Sequence, residues 1–312
     1  MLLKQHNAVS ATLCIFRRTK MFYLGVNCER AEDHDLAKTL HRAKSCGYDA
    51  AEIDLDILPF ILDGELCRPV VDYAQDVMSR IHLRYSAHVS SALDLRSTEH
   101  FDAQKNLLFR SIDVCALLGI QLLNVHYEAC SKIRWVEQRF CDSYREAAQY
   151  AQERGVILSI ENIEIEDYRL VLDFVSEVGH ENFRFTLDTG HLFLACAYFG
   201  EDFETAVDRC MPYVGHMHLN DNTGRFMPMR ITDFARYKRV PMSYRNLFGM
   251  GDLHLPPYFG KLPFDMIFEK LTQKKGTQDI FLICEYNRED FQPFEQEICR
   301  KVRQKMTNTG GK

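Results

Sequence analysis

Phe183-Arg184-Phe185-Thr186-Leu187-Asp188-Thr189-Gly190-His191 is a largely apolar run that ends in a carboxylate, a glycine and a histidine. It reads as a β-strand entering a tight turn on Gly190, which would bring Asp188 and His191 to one pocket. A carboxylate and an imidazole held together are good ligands for a divalent metal. Alone the motif is weak, and its meaning depends on how the other strands end.

They end alike. Strand-like segments lie at Phe22–Val26, Ala50–Leu55, Arg84–Val89, Gln121–Tyr127, Val156–Asn162, Phe183–Asp188, Val214–Asn220 and Ile280–Tyr286. Between and after them the spacing predicts helices at Asp35–Cys46, Pro69–Ile81, His100–Leu118, Val136–Arg154, Tyr168–Val178, Phe203–Cys210, Phe264–Leu271 and Phe294–Met306. Gly47, Gly119, Gly155 and Gly179 follow helices as C-terminal caps do. Repeated βα units form either a doubly wound sheet or a closed barrel. Seven of the eight strands carry Asp, Glu or His near their C-terminal ends. In a barrel those ends share one mouth, whereas in a doubly wound sheet only strands beside the switch point reach the ligand. The expected fold is therefore α/β, a single-domain (β/α)8 TIM barrel over residues 21–312, with a long inserted loop after strand 7 from Asp221 to Lys261.

The bulk properties fit that class. A chain of 312 residues, 46% hydrophobic, can bury a large core. Its formal charge of −6 gives no overall cationic surface for nucleic acid, although a local basic patch can still bind phosphates. No apolar run of about 18 residues is present, so no membrane span is expected. The eleven cysteines are scattered without a Cys-x-x-Cys, which suits reduced thiols in a cytoplasmic protein. Residues 1–20 carry Lys4, Arg17, Arg18 and Lys20 but no acid. They read as an N-terminal extension, disordered or not native, ahead of a start near Met21.

The polar strand ends and nearby loops supply Glu52, His88, His126, Glu161, Asp188, His191, His216, His218, Asp252, His254 and Glu285. A lone histidine is usually a satisfied core or surface residue, and a lone strand-end glutamate is usually solvated. Convergence at one end changes the balance: burying these groups together without a cation would cost several kcal/mol per charge. Mixed His and carboxylate ligands suit Mn, Zn, Co or Fe. Within the insertion, Arg225, Arg230, Arg236, Lys238, Arg239 and Arg245 alternate with aromatic residues. That composition reads as a lid that grips an anionic substrate, or as a solvated basic loop.

Ser159-Ile160-Glu161-Asn162, Leu187-Asp188-Thr189-Gly190-His191, His218-Leu219-Asn220-Asp221 and Glu285 resemble the metal-binding strand ends of the xylose isomerase-like TIM barrels. That superfamily holds sugar phosphate isomerases, epimerases and endonuclease IV-type repair enzymes. Similarity to the epimerases implies one divalent metal on Glu161, Asp188, His218 and Glu285, with Glu161 and Glu285 doubling as the catalytic acid and base. It further implies substrate contacts from His191 and Arg225, the latter a weaker match in spacing, and Glu52 at its own strand end is a third substrate-binding candidate. The remaining candidates, His88, His126, His191, His216, Asp252 and His254, leave room for up to three metals, as in the endonuclease IV-type cluster.

Two departures separate the chain from the repair enzymes: Asn27 stands where they carry a histidine, and Glu52 suits a sugar pocket. The leading expectation is thus a metal-dependent isomerase or epimerase acting on a sugar or sugar phosphate through an enediolate. The alternatives are a metal-cluster phosphodiesterase, an iron-dependent oxidase and a degenerate barrel that only binds. The resemblance also implies pairing as a homodimer.

Overall fold

Strands β1 (Phe22–Cys28), β2 (Ala50–Asp54), β3 (Arg84–His88), β4 (Leu122–His126), β5 (Ile157–Glu161), β6 (Phe183–Asp188), β7 (Val214–Leu219) and β8 (Ile280–Cys284) are all parallel and close into a barrel. Helices α1 (Leu36–Ser45), α2 (Arg68–Arg80), α3 (Phe101–Leu118), α4 (Arg134–Glu153), α5 (Tyr168–Val178), α6 (Thr189–Phe199) and α7 (Phe203–Cys210) follow the first six strands. After β7 come α8 (Met229–Thr232), α9 (Phe234–Tyr237), α10 (Met242–Phe248) and α11 (Phe264–Gln273); α12 (Arg288–Phe291) and α13 (Glu295–Thr309) complete the chain. This computed structural model describes residues 22–29, 35–274, 276 and 278–309. The extension assigned to residues 1–20 lies outside them. Among the described residues no helix is long and apolar enough to cross a membrane.

The period-2 alternation of each strand divides its side chains between two environments. Leu24, Val26, Ile53, Leu123, Val125, Leu158 and Ile160 point to the helices and join the main core. Inside the barrel, Ala50, Phe281 and Ile283, with Tyr23 against them, form a separate apolar plug. Further along the same interior, Glu52, Ser86, Asn124, Ser159, Thr186, His216 and His218 are each no more than 1% exposed. Register holds the polar groups level: His126 pairs with Glu161, Asp188 with His218, and Ile283 with His218. The expected strands therefore exist and carry their polar residues to one mouth.

The turn expected at Gly190 is instead the first turn of a helix. Asp188 is the N-cap of α6, its Oδ1 accepting the His191 N–H at 2.6 Å. Sequence periodicity hides α6 because Gly190, His191, Leu192, Leu194, Ala195 and Cys196 are all buried. The helix is covered on more than one side, with Phe193 against Gly224 of the insertion, so no polar face marks it. Gly190 is required by contact. A Cβ there would sit 1.7 Å from Asn220 Oδ1, closer than any non-bonded approach.

The insertion is folded and tied down at its base. Asp221 and Leu255 exchange backbone hydrogen bonds of 2.7 and 3.1 Å. The Asp221 carboxylate accepts the N–H groups of Asn222, Gly260 and Leu262 at 2.7, 2.7 and 3.0 Å. These contacts close the loop that carries Asp252 and His254.

Candidate metal centre

Three sets of side chains gather at the C-terminal mouth, each with its ligand atoms within 4.8 Å of one another. The first is Glu161, Asp188, His218 and Glu285; the second is His88, His126 and Glu161; the third is His191, Asp252 and His254. Glu161 belongs to two of them.

In the first set His218 Nδ1 lies 3.2 Å from Glu161 Oε2, 3.1 Å from Glu285 Oε2 and 3.8 Å from Asp188 Oδ2. Its other nitrogen, Nε2, lies 2.8 Å from Glu52 Oε1. A carboxylate behind a ligating imidazole fixes the ring and raises its basicity, so Glu52 is placed to support His218. Glu52 also receives the Ser86 hydroxyl at 3.0 Å and lies 3.1 Å from His216 Nε2. Glu52, His216 and His218 thus form a further buried ligand set directly beneath the first.

In the second set His88 Nε2 and His126 Nε2 lie 3.0 Å apart, and each is within 3.8 Å of Glu161 Oε2. His88 Nδ1 donates to the Val89 carbonyl at 2.9 Å, which turns Nε2 inward. In the third set His191 Nδ1 donates to the Asn162 carbonyl at 3.1 Å, leaving Nε2 3.4 Å from Asp252 Oδ2. His254 Nε2 approaches the same oxygen at 2.8 Å.

Asparagine amides hold the carboxylates. Asn124 donates to Glu161 Oε2 and Asn220 to Asp188 Oδ2, both at 2.5 Å. Asn162 bonds the Asp188 backbone through both ends of its amide, at 3.1 and 3.0 Å. The sequence motifs contain Asn162 and Asn220, but no role was assigned to any of these amides from the sequence. Their signal is alternation: Asn124 and Asn220 each stand two residues from a ligand histidine on the same strand face.

The donor set fits a divalent metal. Glu161 Oε1 and His218 Nδ1 are buried with no hydrogen-bond partner, although each is surrounded by potential ligands. Without an ion, protons must do the neutralising. Burial alone would lower His88, but the hydrogen bond and charge of Glu161, with Glu52 adding, hold it at about 10. Burial likewise works against His254, yet Asp252 and Glu285 raise it to about 10. His126 falls to about 4 through burial and the neighbouring His88 charge. Burial opposes ionisation of Glu285, which His218 and His254 nonetheless hold at about 2.

An ion entering the His88 or His254 set must therefore displace a proton held up to about 10. Apparent metal affinity is expected to rise with pH by up to about tenfold per unit for each proton released. Calorimetric titration in two buffers of different ionisation heat measures that release; affinity independent of pH between about 6 and 9 would contradict it.

A cavity of about 980 Å³ opens above the sets. Glu52, His88, His126, His191, Asp252, His254 and Glu285 line it. Arg225 is exposed, donates to the Phe248 carbonyl at 3.1 Å and is not part of the lining. The insertion's cationic lining comes from Arg230, Lys238 and Arg245 instead.

Comparison with known proteins agrees with this architecture. The family model described as xylose isomerase-like TIM barrel matches residues 40–305. No curated protein matches the chain. Among solved structures, D-psicose 3-epimerase with D-tagatose from Clostridium cellulolyticum H10 is 16% identical, with 92% of this chain and 99% of that one covered and a TM-score of 0.65. The apo form of 3-keto-D-glucoside 4-epimerase from E. coli is 15% identical, over 91% and 100% of the two chains, with a TM-score of 0.64. The IOLI protein with a bound zinc atom is 14% identical, over 92% and 98%, with a TM-score of 0.65. At these identities the likeness shows a shared fold.

Proposed function

The chain belongs to the xylose isomerase-like TIM barrel family, and from that premise we propose that it is a divalent-metal-dependent isomerase or epimerase acting on a sugar by carboxylate-mediated proton transfer. The observation that carries the reading is the approach of Glu161 and Glu285 to the same nitrogen, His218 Nδ1, at 3.2 and 3.1 Å. The two carboxylates stand at the end of β5 and just after β8, strands separated by β6 and β7 around the barrel. They reach one point from different directions, as a pair serving two sides of a substrate carbon must. The solved structures titled as sugar epimerases share this barrel.

Glu161, Asp188, His218 and Glu285 would hold the ion. A divalent cation there supplies Lewis-acid stabilisation of negative charge on the substrate oxygens. The protein's own groups carry the proton. One of Glu161 and Glu285 takes it from the carbon beside the carbonyl, and the other returns one from its own side. Asn124 keeps Glu161 oriented, while Asn220 reaches both Asp188 and Glu285, at 2.5 and 3.4 Å. Glu52 holds the His218 ring. Solvent-deuterium exchange tests the reading: a metal-loaded preparation is expected to incorporate label beside the carbonyl of a ketose, and chelation is expected to stop it.

The second and third ligand sets support a second reading, a metal-cluster phosphodiesterase, because Glu161 belongs to both the first and second sets and the third, His191, Asp252 and His254, lines the same cavity. Ions held by these residues would supply a clamp for phosphate and an activated water. Metal-dependent nicking of abasic-site duplex DNA, with no deuterium exchange into any sugar, would favour that alternative.

A further inference from the structure

One wall of the cavity is cationic, and the metal ligands do not account for it. Arg230 lies 4.6 Å from the Phe234 ring centre and 5.5 Å from that of Tyr237. Lys238 lies 4.6 Å from Phe234, and Arg245 lies 4.8 Å from Tyr237. Two aromatic rings on α9 therefore hold three cations in a single layer. All five residues line the same cavity as His191, Asp252 and His254.

The charges in that layer are under-compensated. Arg230 pairs with Glu164 at 2.6 Å. Lys238 and Arg245 make no ion pair among the described residues. Arg245 Nη1 donates to the Tyr237 hydroxyl at 2.6 Å and the Asp252 carbonyl at 3.2 Å, while its Nε is buried without a hydrogen-bond partner. Among the other carboxylates of the cavity, Glu128 lies in the field of Arg96 and Arg230, and three more accept hydrogen bonds from outside the layer. Glu166 accepts the Cys130 N–H at 2.8 Å, Asp54 the Asp56 N–H at 2.7 Å, and Glu29 the Asn27 amide at 3.0 Å.

Like charges held together in a partly buried wall repel, and aromatic faces offset only part of that repulsion. An anion bound between them removes it, and guanidinium groups suit the oxygens of phosphate and carboxylate. We propose that Arg230, Lys238 and Arg245 form a subsite for the terminal anionic group of the substrate, so that the sugar carries a phosphate or a carboxylate at the end remote from the ligand sets. The sugar part of this assignment rests on the isomerase reading; the anion subsite rests on the wall itself. The direct link from Arg245 to the Asp252 carbonyl joins the subsite to the third ligand set.

The probe is inorganic phosphate, titrated calorimetrically into the full-length protein as purified, with metal content measured in each sample. Wild type is expected to bind it saturably. Lys238→Ala and Arg245→Met are each expected to weaken binding by about tenfold or more at unchanged metal content, as loss of a charge-assisted contact would. Lys238 is exposed, so its variant keeps the test valid if Arg245→Met fails to fold. Phosphate affinity equal to wild type in Lys238→Ala and in any folded Arg245→Met would overturn the proposal, as would no binding to wild type. A kinetic arm separates the anions by comparing kcat/KM for a ketose phosphate, a sugar acid and the neutral sugar. Preference for either anionic form supports the subsite; preference for the neutral sugar overturns it. Phosphate binding that depends on Lys238, with no deuterium exchange into any sugar, would retain the subsite and reject the isomerase reading.

Discussion

Glu285→Gln is expected to lower turnover by about 10³-fold while metal stays bound, because general acid–base groups contribute roughly 10²–10⁴. The amide keeps the shape of the side chain and one oxygen for the ion, but it cannot take a proton. Glu161→Gln should have a comparable effect with a different signature. If the two carboxylates serve opposite sides of one carbon, each variant loses deuterium exchange from one epimer and retains part of the exchange from the other. Label incorporation followed separately from each epimer measures this. Equal loss from both epimers in both variants would mean that the carboxylates act only as ligands. Glu161 also belongs to the second ligand set, so its variant is expected to lose more metal than Glu285→Gln.

Gly190→Ala is the other substitution with a large expected effect, and it acts without touching a ligand. The new methyl group would meet Asn220 Oδ1 at 1.7 Å and Cγ at 2.8 Å. Asn220 is buried and donates to Asp188 Oδ2 at 2.5 Å. It cannot swing away without releasing that carboxylate. Thr189 Oγ1 donates to the His218 and Asn220 carbonyls at 3.1 and 2.9 Å, which prevents the start of α6 from simply sliding. Overpacking of this kind destabilises by about 1–3 kcal/mol, and disturbing a group that supports a ligand lowers metal affinity by about 10–100-fold. Urea unfolding and metal titration measure the two effects. Combining Gly190→Ala with Asn220→Ala removes the clash, so folding stability should largely return while metal affinity stays low. Wild-type metal affinity in Gly190→Ala would show that Asn220 does not govern Asp188.

The barrel was legible because its polar residues recur at one end of strands whose alternation is otherwise apolar. His216 with His218, and Ser159 with Glu161, show the period of two without any tertiary information. Helix α6 was not legible, since periodicity reports a difference between faces, and both its buried stretch from Leu192 to Cys196 and its exposed end from Ala197 to Phe199 are apolar. The same limitation explains Gly190. A glycine after a strand suggests a turn, whereas its contact with Asn220 depends on two strands meeting after the chain has folded.

At the site, the residue types and their common end could be read, but not their depth. Glu52 was expected to face substrate; it lines the cavity, and its carboxylate also lies against His216, His218 and Ser86. Sequence order places Glu52 more than 160 residues from both histidines, and only barrel closure brings them together. Arg225 drew attention through its nearness to His218 in the chain. The packing of α8, α9 and α10 turns Arg230, Lys238 and Arg245 toward the cavity instead.

Glu161, Asp188, His218 and Glu285 are expected to form a tight site for an ion. The most direct measurement is metal binding per chain, by elemental analysis and calorimetric titration, in wild type and in Asp188→Asn. Wild type should retain at least one divalent ion per chain, and Asp188→Asn should lose it while remaining folded. A wild-type chain that binds no ion, or an Asp188→Asn chain that binds as wild type does, would contradict the account.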